Sequence, residues 1–516
     1  MSAFSPETLS KIFGSCCLVS PDRLVPYEQP ERGAPGHTPA VLVPENERQL
    51  QSLLEIANRE GIKLVLSAGR TGLVEAQRPE GECVLSLERL RSVTALHCAD
   101  ETVLNLETGI SPDAAREQLF AQWDAAGRPS LEQATVSLQA GVAVDALNEV
   151  LAPLGRMFPM EMGSSASASI GACVANASAG ANAVCYGTAA HMAVTASGFW
   201  GDASDSGHCQ SAAWTQVDEN QLAIDSTALP ETWGLIGSQG CLGVITRLQL
   251  RTFAVPKSRE AVLLAVNSMP HAMQCFAEAK KVFGSQVEEF EFLSRSAVEL
   301  VLRQMGERIR LPFEELPDTP YLILMQIKSV EEDEELAGRL YEFCANELQL
   351  DDAHIGYAPL GALKKIRHSV TESSNMEMRA RGGGRLSFDT ATPVARFGQY
   401  LDQLAKDIRG VSPDIQLIDF GHAGVGGAHL HLIGSEAQNV AQHAGALTDL
   451  VFDVTQSFGG TFSAEHGVGP KWAEQFLRRM PQARLDALLA RKLRHDPRNI
   501  LSPRSFGLDQ LMARKA

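Results

Sequence analysis

Three histidines crowd one short run, Gly421-His422-Ala-Gly-Val-Gly-Gly-Ala-His429-Leu-His431-Leu432. Its glycines disfavour a helix, so it reads as a strand over 415–420, a tight loop and a second strand. Alternate residues of a strand share a face, which sets His429 and His431 on one side and Leu430 and Leu432 on the other. A loop this short returns the chain near its origin, so His422 and His429 can converge on one point. Further along, Ser463-Ala-Glu465-His466-Gly467-Val-Gly469 places a carboxylate beside another imidazole. Two imidazoles and one carboxylate suit a borderline divalent ion such as Zn²⁺ or Mn²⁺, with positions left open for substrate. The alternative is a set of ordinary core or loop histidines with satisfied hydrogen bonds. Their clustering with Glu465 favours the ion.

A second chemical feature is the glycine turn Ser67-Ala68-Gly69-Arg70-Thr71-Gly72-Leu73. It matches neither G-x-G-x-x-G nor G-x-x-x-x-G-K-[ST], so the common dinucleotide and Walker signatures are excluded. What it retains is a turn whose backbone N–H groups can cradle a pyrophosphate. Residues 163–190 are rich in small side chains, with Gly163-Ser-Ser-Ala-Ser-Ala-Ser-Ile-Gly-Ala followed by Ala175-Asn-Ala-Ser-Ala-Gly180. They read either as low complexity or as a compact region where backbone must approach something closely, and Tyr186-Gly187 and the turn Gly237–Gly240 favour the second.

The elements that must position these groups follow from periodicity. Val41–Val43 is a short strand ended by Pro44; Leu50, Leu53, Leu54 and Ala57 make one helix face, Gly61 caps it, and a strand over 62–66 runs into the glycine turn. A strand over 135–139 and a helix carrying Val144, Leu147 and Leu151 follow, with 98–134 as an expansion between elements. Val244, Thr246, Leu248 and Leu250 alternate as a strand, and Pro256 marks a boundary. Beyond it, strands at 261–266, 290–293 and 321–327 alternate with helices, which predicts an α+β layer with helices on one face of an antiparallel sheet. The acidic run 331–335 predicts the solvated start of a helix reaching about residue 348.

Length and composition bound the rest. The chain has 516 residues, and 45 basic against 62 acidic side chains give a net charge of −17, which argues against nucleic acid as a partner. No apolar stretch approaches the ~18 residues of a membrane span. Ten cysteines without a CxxC pair read as reduced thiols. The first residues lack a secretion signal, so the expectation is a cytoplasmic protein, either free or peripheral at the inner membrane.

Six segments in order carry a resemblance: Ser67–Leu73 with Val84-Leu-Ser-Leu-Glu88-Arg; Phe158–Gly163; Ile170-Gly171 through Gly180, with Tyr186-Gly187; Gly237–Thr246; Gly421–Leu432; and Ser463–Gly469. Over about 38–505 the chain resembles the FAD-linked oxidase superfamily (vanillyl-alcohol oxidase or PCMH type), in its D-2-hydroxyacid dehydrogenase branch. That branch includes D-lactate and D-2-hydroxyglutarate dehydrogenases and the flavin subunit of glycolate oxidase. The resemblance implies an α+β protein in four parts. An N-terminal helical segment (1–37) precedes a two-lobed PCMH-type FAD-binding domain (38–254). An α+β substrate or cap domain with the metal site (255–470) and a C-terminal helical segment (471–516) returning to the flavin domain complete the chain.

It further implies extended FAD, its pyrophosphate on Gly69–Gly72 within Ser67–Leu73 and its ring near Met162, Gly163, Ser164, Gly171 and Ala177, with Ile245 also contacting cofactor. Relatives with covalent flavin often carry histidine where this chain has Arg70, so noncovalent FAD is expected. The family's metal ligands map onto His422, His429 and Glu465, with Zn²⁺ the expected ion, and its base onto His466. The implied reaction oxidises a small D-2-hydroxyacid to its 2-oxoacid. The cation binds hydroxyl and carboxylate, His466 takes the hydroxyl proton, and hydride passes to flavin. Electrons then leave to an external acceptor: an electron-transfer flavoprotein, a quinone or a cytochrome. Arg367 and Thr371, at i and i+4 of a helix, resemble the substrate-binding pair, and His431 stands where an asparagine is usual. Other departures are Glu75-Ala76 for a glycine pair, Ala172-Cys173 in a glycine turn, Gln239 for Glu, Val425 for Asp and Ser387 for a substrate-holding lysine. Arg379, Arg381 and Arg385 are candidates to restore that lost charge. The competing expectation is a degenerate, non-catalytic flavoprotein subunit of an oxidase complex.

Overall fold

The computed structural model describes residues 4–215 and 218–514. Helix α1 (Glu47–Glu60) opens on Asn46, whose side chain accepts the Gln49 N–H, and closes on Gly61 in the left-handed conformation. Its buried face is Leu50, Leu53, Leu54 and Ala57, the set that the spacing predicts. These residues share a core with a four-stranded sheet of order β1-β2-β4-β3, built from β1 (Cys17–Leu18), β2 (Val41–Leu42), β3 (Leu64–Ser67) and β4 (Cys83–Ser86). β2, β4 and β3 run parallel, so β3 ends pointing into the glycine turn.

The second lobe is an antiparallel sheet of order β6-β5-β7-β9-β8, from β5 (Val93–His97), β6 (Val103–Asn105), β7 (Thr135–Gln139), β8 (Ala193–Trp200) and β9 (Gly243–Arg251). β9 joins the lobes: Val244 packs in the core of the first, Ile245, Leu248 and Leu250 in that of the second. Helix α2 (Ile170–Asn176) lies so close that a Cβ on Gly171 would stand 2.4 Å from that of Ala140.

The C-terminal domain is a seven-stranded antiparallel sheet made of β10 (Ser258–Val266), β11 (Val287–Ser294), β12 (Tyr321–Ser329), β13 (Ile355–Gly356), β14 (Arg385–Ala391), β15 (Ile415–Gly421) and β16 (Gly427–Gly434), in the order β13-β10-β12-β11-β15-β16-β14. The expectation of helices on one face is corrected: both faces are covered. Ile323 and Met325 pack with helices α3 (Met269–Phe283) and α6 (Phe397–Val411); Leu322 and Leu324 pack with α4 (Arg295–Met305) and α5 (Leu360–Ala380). β12 is apolar on both faces over Tyr321–Met325, and such a strand is covered twice. The helix expected from residue 331 instead begins at Leu336. Asp333 stays at the sheet margin, its N–H donated to Ser258 Oγ at 3.0 Å.

The C-terminal segment returns to the first lobe. Leu64 N–H donates to the Ile500 carbonyl at 2.7 Å and Ser502 N–H to the Leu64 carbonyl at 2.8 Å, which adds a strand-like edge beside β3. Buried Lys492 fastens this return, its Nζ bonding Asp496 at 2.7 Å and the Leu501 carbonyl at 2.9 Å.

Candidate active site

β15 ends at Gly421, a single 3-10 turn (Ala423–Val425) reverses the chain, and β16 carries His429 back opposite Phe420. Gly426 makes the turn possible: its φ is +69°, and a Cβ there would lie 2.0 Å from the Thr392 carbonyl oxygen. His422 Nε2 and His429 Nε2 are 3.3 Å apart, and Glu465 Oε1 is 3.4 Å from the first and 3.1 Å from the second. Donors bound ~2.05 Å from a tetrahedral ion are separated by ~3.3 Å, so this spacing fits a small divalent cation. Burial opposes charge on His422, but Glu291 and Glu465 outweigh it and push its pKa up to about 10. Burial likewise opposes the Glu465 carboxylate, which His422 and His429 nevertheless hold well below the usual range.

Behind this trio stands Glu291, a residue that the sequence reading missed. Its Oε1 lies 2.6 Å from His422 Nδ1, and its Oε2 accepts from Arg367 Nε at 2.8 Å. A carboxylate on Nδ1 aims the other ring nitrogen outward, a common arrangement around bound metals. The signal was present in β11, where Glu289 and Glu291 alternate with Phe290 and Phe292 on a strand buried along its whole length. Arg367 also lies 4.8 Å over the Phe420 ring. Lys364, one turn earlier on α5, bonds Glu161 and Glu289 at 2.7 Å each and so ties the loop before α2 to the C-terminal domain.

His466 stacks on His429 with ring centroids 5.5 Å apart. Its segment is held by Asp389 on β14, whose Oδ2 accepts the N–H groups of Glu465 (3.0 Å) and His466 (2.8 Å) and stands 3.4 Å from His466 Nδ1. Gln239 secures the following turn, taking the Val468 N–H at 2.9 Å while donating to the Ser226 carbonyl at 2.7 Å.

These groups face one cavity of about 1040 Å³, at the upper end of the ~300–1,000 Å³ of small-molecule sites. Ser67, Ala68, Gly69, Arg70, Thr71, Gly72 and Leu73 line it, as do Met162, Gly163, Ser164, Gly171 and Ile245, and on the cap side Arg367, Thr371, His422, His429, His431, Glu465 and His466. Ala177 is a correction: it caps α2 with φ +50° and is buried in the second-lobe core, while its neighbours Asn176 and Ser178 reach the cavity. The residues fit a dinucleotide-sized group. Ser67 Oγ and Ser169 Oγ are buried with no hydrogen-bond partner among the described residues, and a Cβ on Gly69 would meet the Ser167 carbonyl oxygen at 2.1 Å, so backbone closes tightly round the turn. Arg70 pairs with Glu88 at 3.2 Å and lies over the Tyr27 ring. Glu75 pairs with Arg78 at 3.0 Å, which offsets the charge that it adds near the turn.

His431 is a buried wall residue, its Nδ1 2.8 Å from Ser374 Oγ. Burial, with Arg385 and Arg32 nearby, holds its pKa well below the usual histidine value. Of the three arginines considered for the lost lysine, two are excluded. Arg379 is exposed and does not line the cavity, and Arg381 is spent on Glu377 at 2.6 Å.

The amino-acid sequence of residues 255–506 matches the C-terminal domain of FAD linked oxidases, and residues 38–123 and 128–197 match the FAD binding domain. The chain belongs to the FAD-linked oxidase superfamily, on its D-2-hydroxyacid dehydrogenase branch. It is 26% identical over 442 residues to a D-2-hydroxyglutarate dehydrogenase of Xanthomonas citri pv. viticola, covering 83% of this chain and 81% of that one. With the D-2-hydroxyglutarate dehydrogenase of Stutzerimonas stutzeri it shares 23% identity, covering 90% of each. Its fold is that of p-cresol methylhydroxylase solved with substrate bound (TM-score 0.65, 11% identity, 98% of this chain and 96% of that chain).

Proposed function

We propose that this chain oxidises a D-2-hydroxyacid to the corresponding 2-oxoacid, with noncovalent FAD and a divalent ion, Zn²⁺ first among them. The observation that carries this reading is the convergence of His422, His429, Glu465 and His466 on the cavity that the glycine turn Ser67–Leu73 enters from the other side. His422, His429 and Glu465 would hold the ion; Ser67–Leu73, Met162–Ser164, Gly171 and Ile245 would hold FAD. When bound, the ion supplies polarisation of the substrate hydroxyl, and FAD supplies the acceptor for the α-hydrogen and its electron pair.

The chain's own side chains do the rest. His466 takes the hydroxyl proton as general base, positioned by Asp389. Arg367 and Thr371 face the cavity from one side of α5 and orient the substrate carboxylate, with Glu291 fixing the guanidinium. His431, kept neutral, closes the wall. The convergence of His422, His429 and Glu465 in an ion-holding spacing, with His466 beside them, favours a catalytic site over a non-catalytic subunit.

Among the described residues no helix is long and apolar enough to cross a membrane, and all ten cysteines are free thiols, in keeping with the cytoplasm. The electrons pass on to an external flavoprotein, quinone or cytochrome. The test is anaerobic mixing: purified protein should be yellow and bleach with a D-2-hydroxyacid but not with its L-enantiomer. A colourless protein, or equal bleaching by both, would overturn the reading.

A further inference from the structure

Arg385, the third of the arginines considered for the lost lysine, does not line the cavity either. Its side chain turns aside to α5, where Nη1 donates to Ser374 Oγ at 3.0 Å. The same oxygen lies 2.8 Å from His431 Nδ1. A guanidinium nitrogen can only donate, so the Ser374 hydroxyl hydrogen cannot point at Arg385. Ser374 is fully buried, and its side chain makes no third bond among the described residues. The acceptor for its hydrogen is therefore His431 Nδ1. The reverse arrangement, with Nδ1–H donating, would strand a buried O–H without a partner. A ring that accepts at Nδ1 carries its own hydrogen on Nε2.

Nε2 is where this ring meets the cavity. His431 lines it, and Nε2 bonds nothing among the described residues without being sealed away from the open space. Phe420 meets the imidazole edge to face, with centroids 5.2 Å apart, and so holds the plane of the ring from its other side. Ser387 lies opposite His431 as Asp389 lies opposite His429, and Ser387 lines the same cavity. The donor thus stands one residue pair, about 7 Å along β16, from the ion-holding His429.

We propose that Arg385 and Ser374 are positioning residues that lock His431 as the Nε2–H tautomer, so that the wall beyond the ion-holding trio presents one uncharged donor to an oxygen of the bound hydroxyacid. The inference rests on the reading of the cavity as a hydroxyacid site. Arg385 then serves the substrate through two other side chains rather than by touching it.

Nitrogen-15 spectra of holoenzyme labelled in its histidine rings read the tautomer directly, with the His431 signals assigned by their loss in H431A. Wild type and S374T, which keeps the hydroxyl, should show a hydrogen-bearing Nε2 and a bare Nδ1; S374A and R385M should show the two forms mixed. In turnover with the D-2-hydroxyacid that bleaches the flavin, KM should rise about tenfold in H431A, the size of one lost hydrogen bond. It should rise several-fold in S374A and R385M and return in S374T, with kcat within about threefold throughout. Because Ser374 acts through His431, the S374A/H431A double variant should be no worse than H431A alone. R385M keeps the test open if S374A does not fold. A bare Nε2 in wild type, or KM effects of S374A and H431A that multiply, would overturn the proposal while the hydroxyacid reading stands. No bleaching by any D-2-hydroxyacid would remove that reading, and the substrate contact proposed here with it, whatever the spectra show.

Discussion

Replacing His422 with alanine is expected to lower turnover with any D-2-hydroxyacid by at least about a thousandfold while the protein stays yellow. The size follows from the role. A Lewis acid at the substrate oxygen supplies several kcal/mol of transition-state stabilisation, and ~4 kcal/mol is about a thousandfold in rate. His422 is one of three donors within 4.8 Å of one another, and the two that remain make a poor site. Flavin should stay because His422 sits in the turn between β15 and β16 of the C-terminal domain, whereas the glycine turn proposed to hold the pyrophosphate follows β3 of the first lobe. Glu291 keeps Arg367 as its partner, so the variant does not strand a buried charge. The check is metal content and flavin absorbance of the same H422A sample beside its kcat. Full metal content with normal turnover would contradict the assignment, and loss of flavin would place His422 against the cofactor.

H466A is expected to separate from H422A in kind. Removing a general base costs ~10²–10⁴ in rate, so kcat should fall by about a thousandfold with both flavin and metal retained. KM should move only a few-fold, because His466 is not among the converging donors and Arg367 and Thr371 still face the substrate. D389N should fall between wild type and H466A, since Asp389 positions the Glu465–His466 backbone and stands 3.4 Å from the ring. Equal loss of metal in H466A and H422A would mean that His466 is a ligand, which would leave the reaction without its base.

Where the chemistry lay within short spans, it was legible in the sequence. The strand–turn–strand over 415–434 needs only its glycines and the alternation of His with Leu, and it brings His422 to His429 as read. The turn after β3 was legible for the same reason. Long-range partners were not. Glu291 meets His422 across 131 residues and Arg367 across 76, and neither separation carries a periodicity. Ala177 was misplaced because a small-residue run does not reveal which member turns inward; its φ of +50° at the end of α2 decides that. Helices on both faces of the cap sheet escaped notice because an all-apolar strand reads the same whether one face or two are covered.

The proposed reaction requires an ion held by the C-terminal domain in front of a flavin held by the two N-terminal lobes. Diffraction from crystals of active holoenzyme, recorded on both sides of the zinc absorption edge, examines this directly. We expect one anomalous peak within ~2.3 Å of His422 Nε2, His429 Nε2 and a Glu465 oxygen, beside the flavin ring. No peak there in crystals that still turn over, or a peak at a different group of side chains, would contradict it.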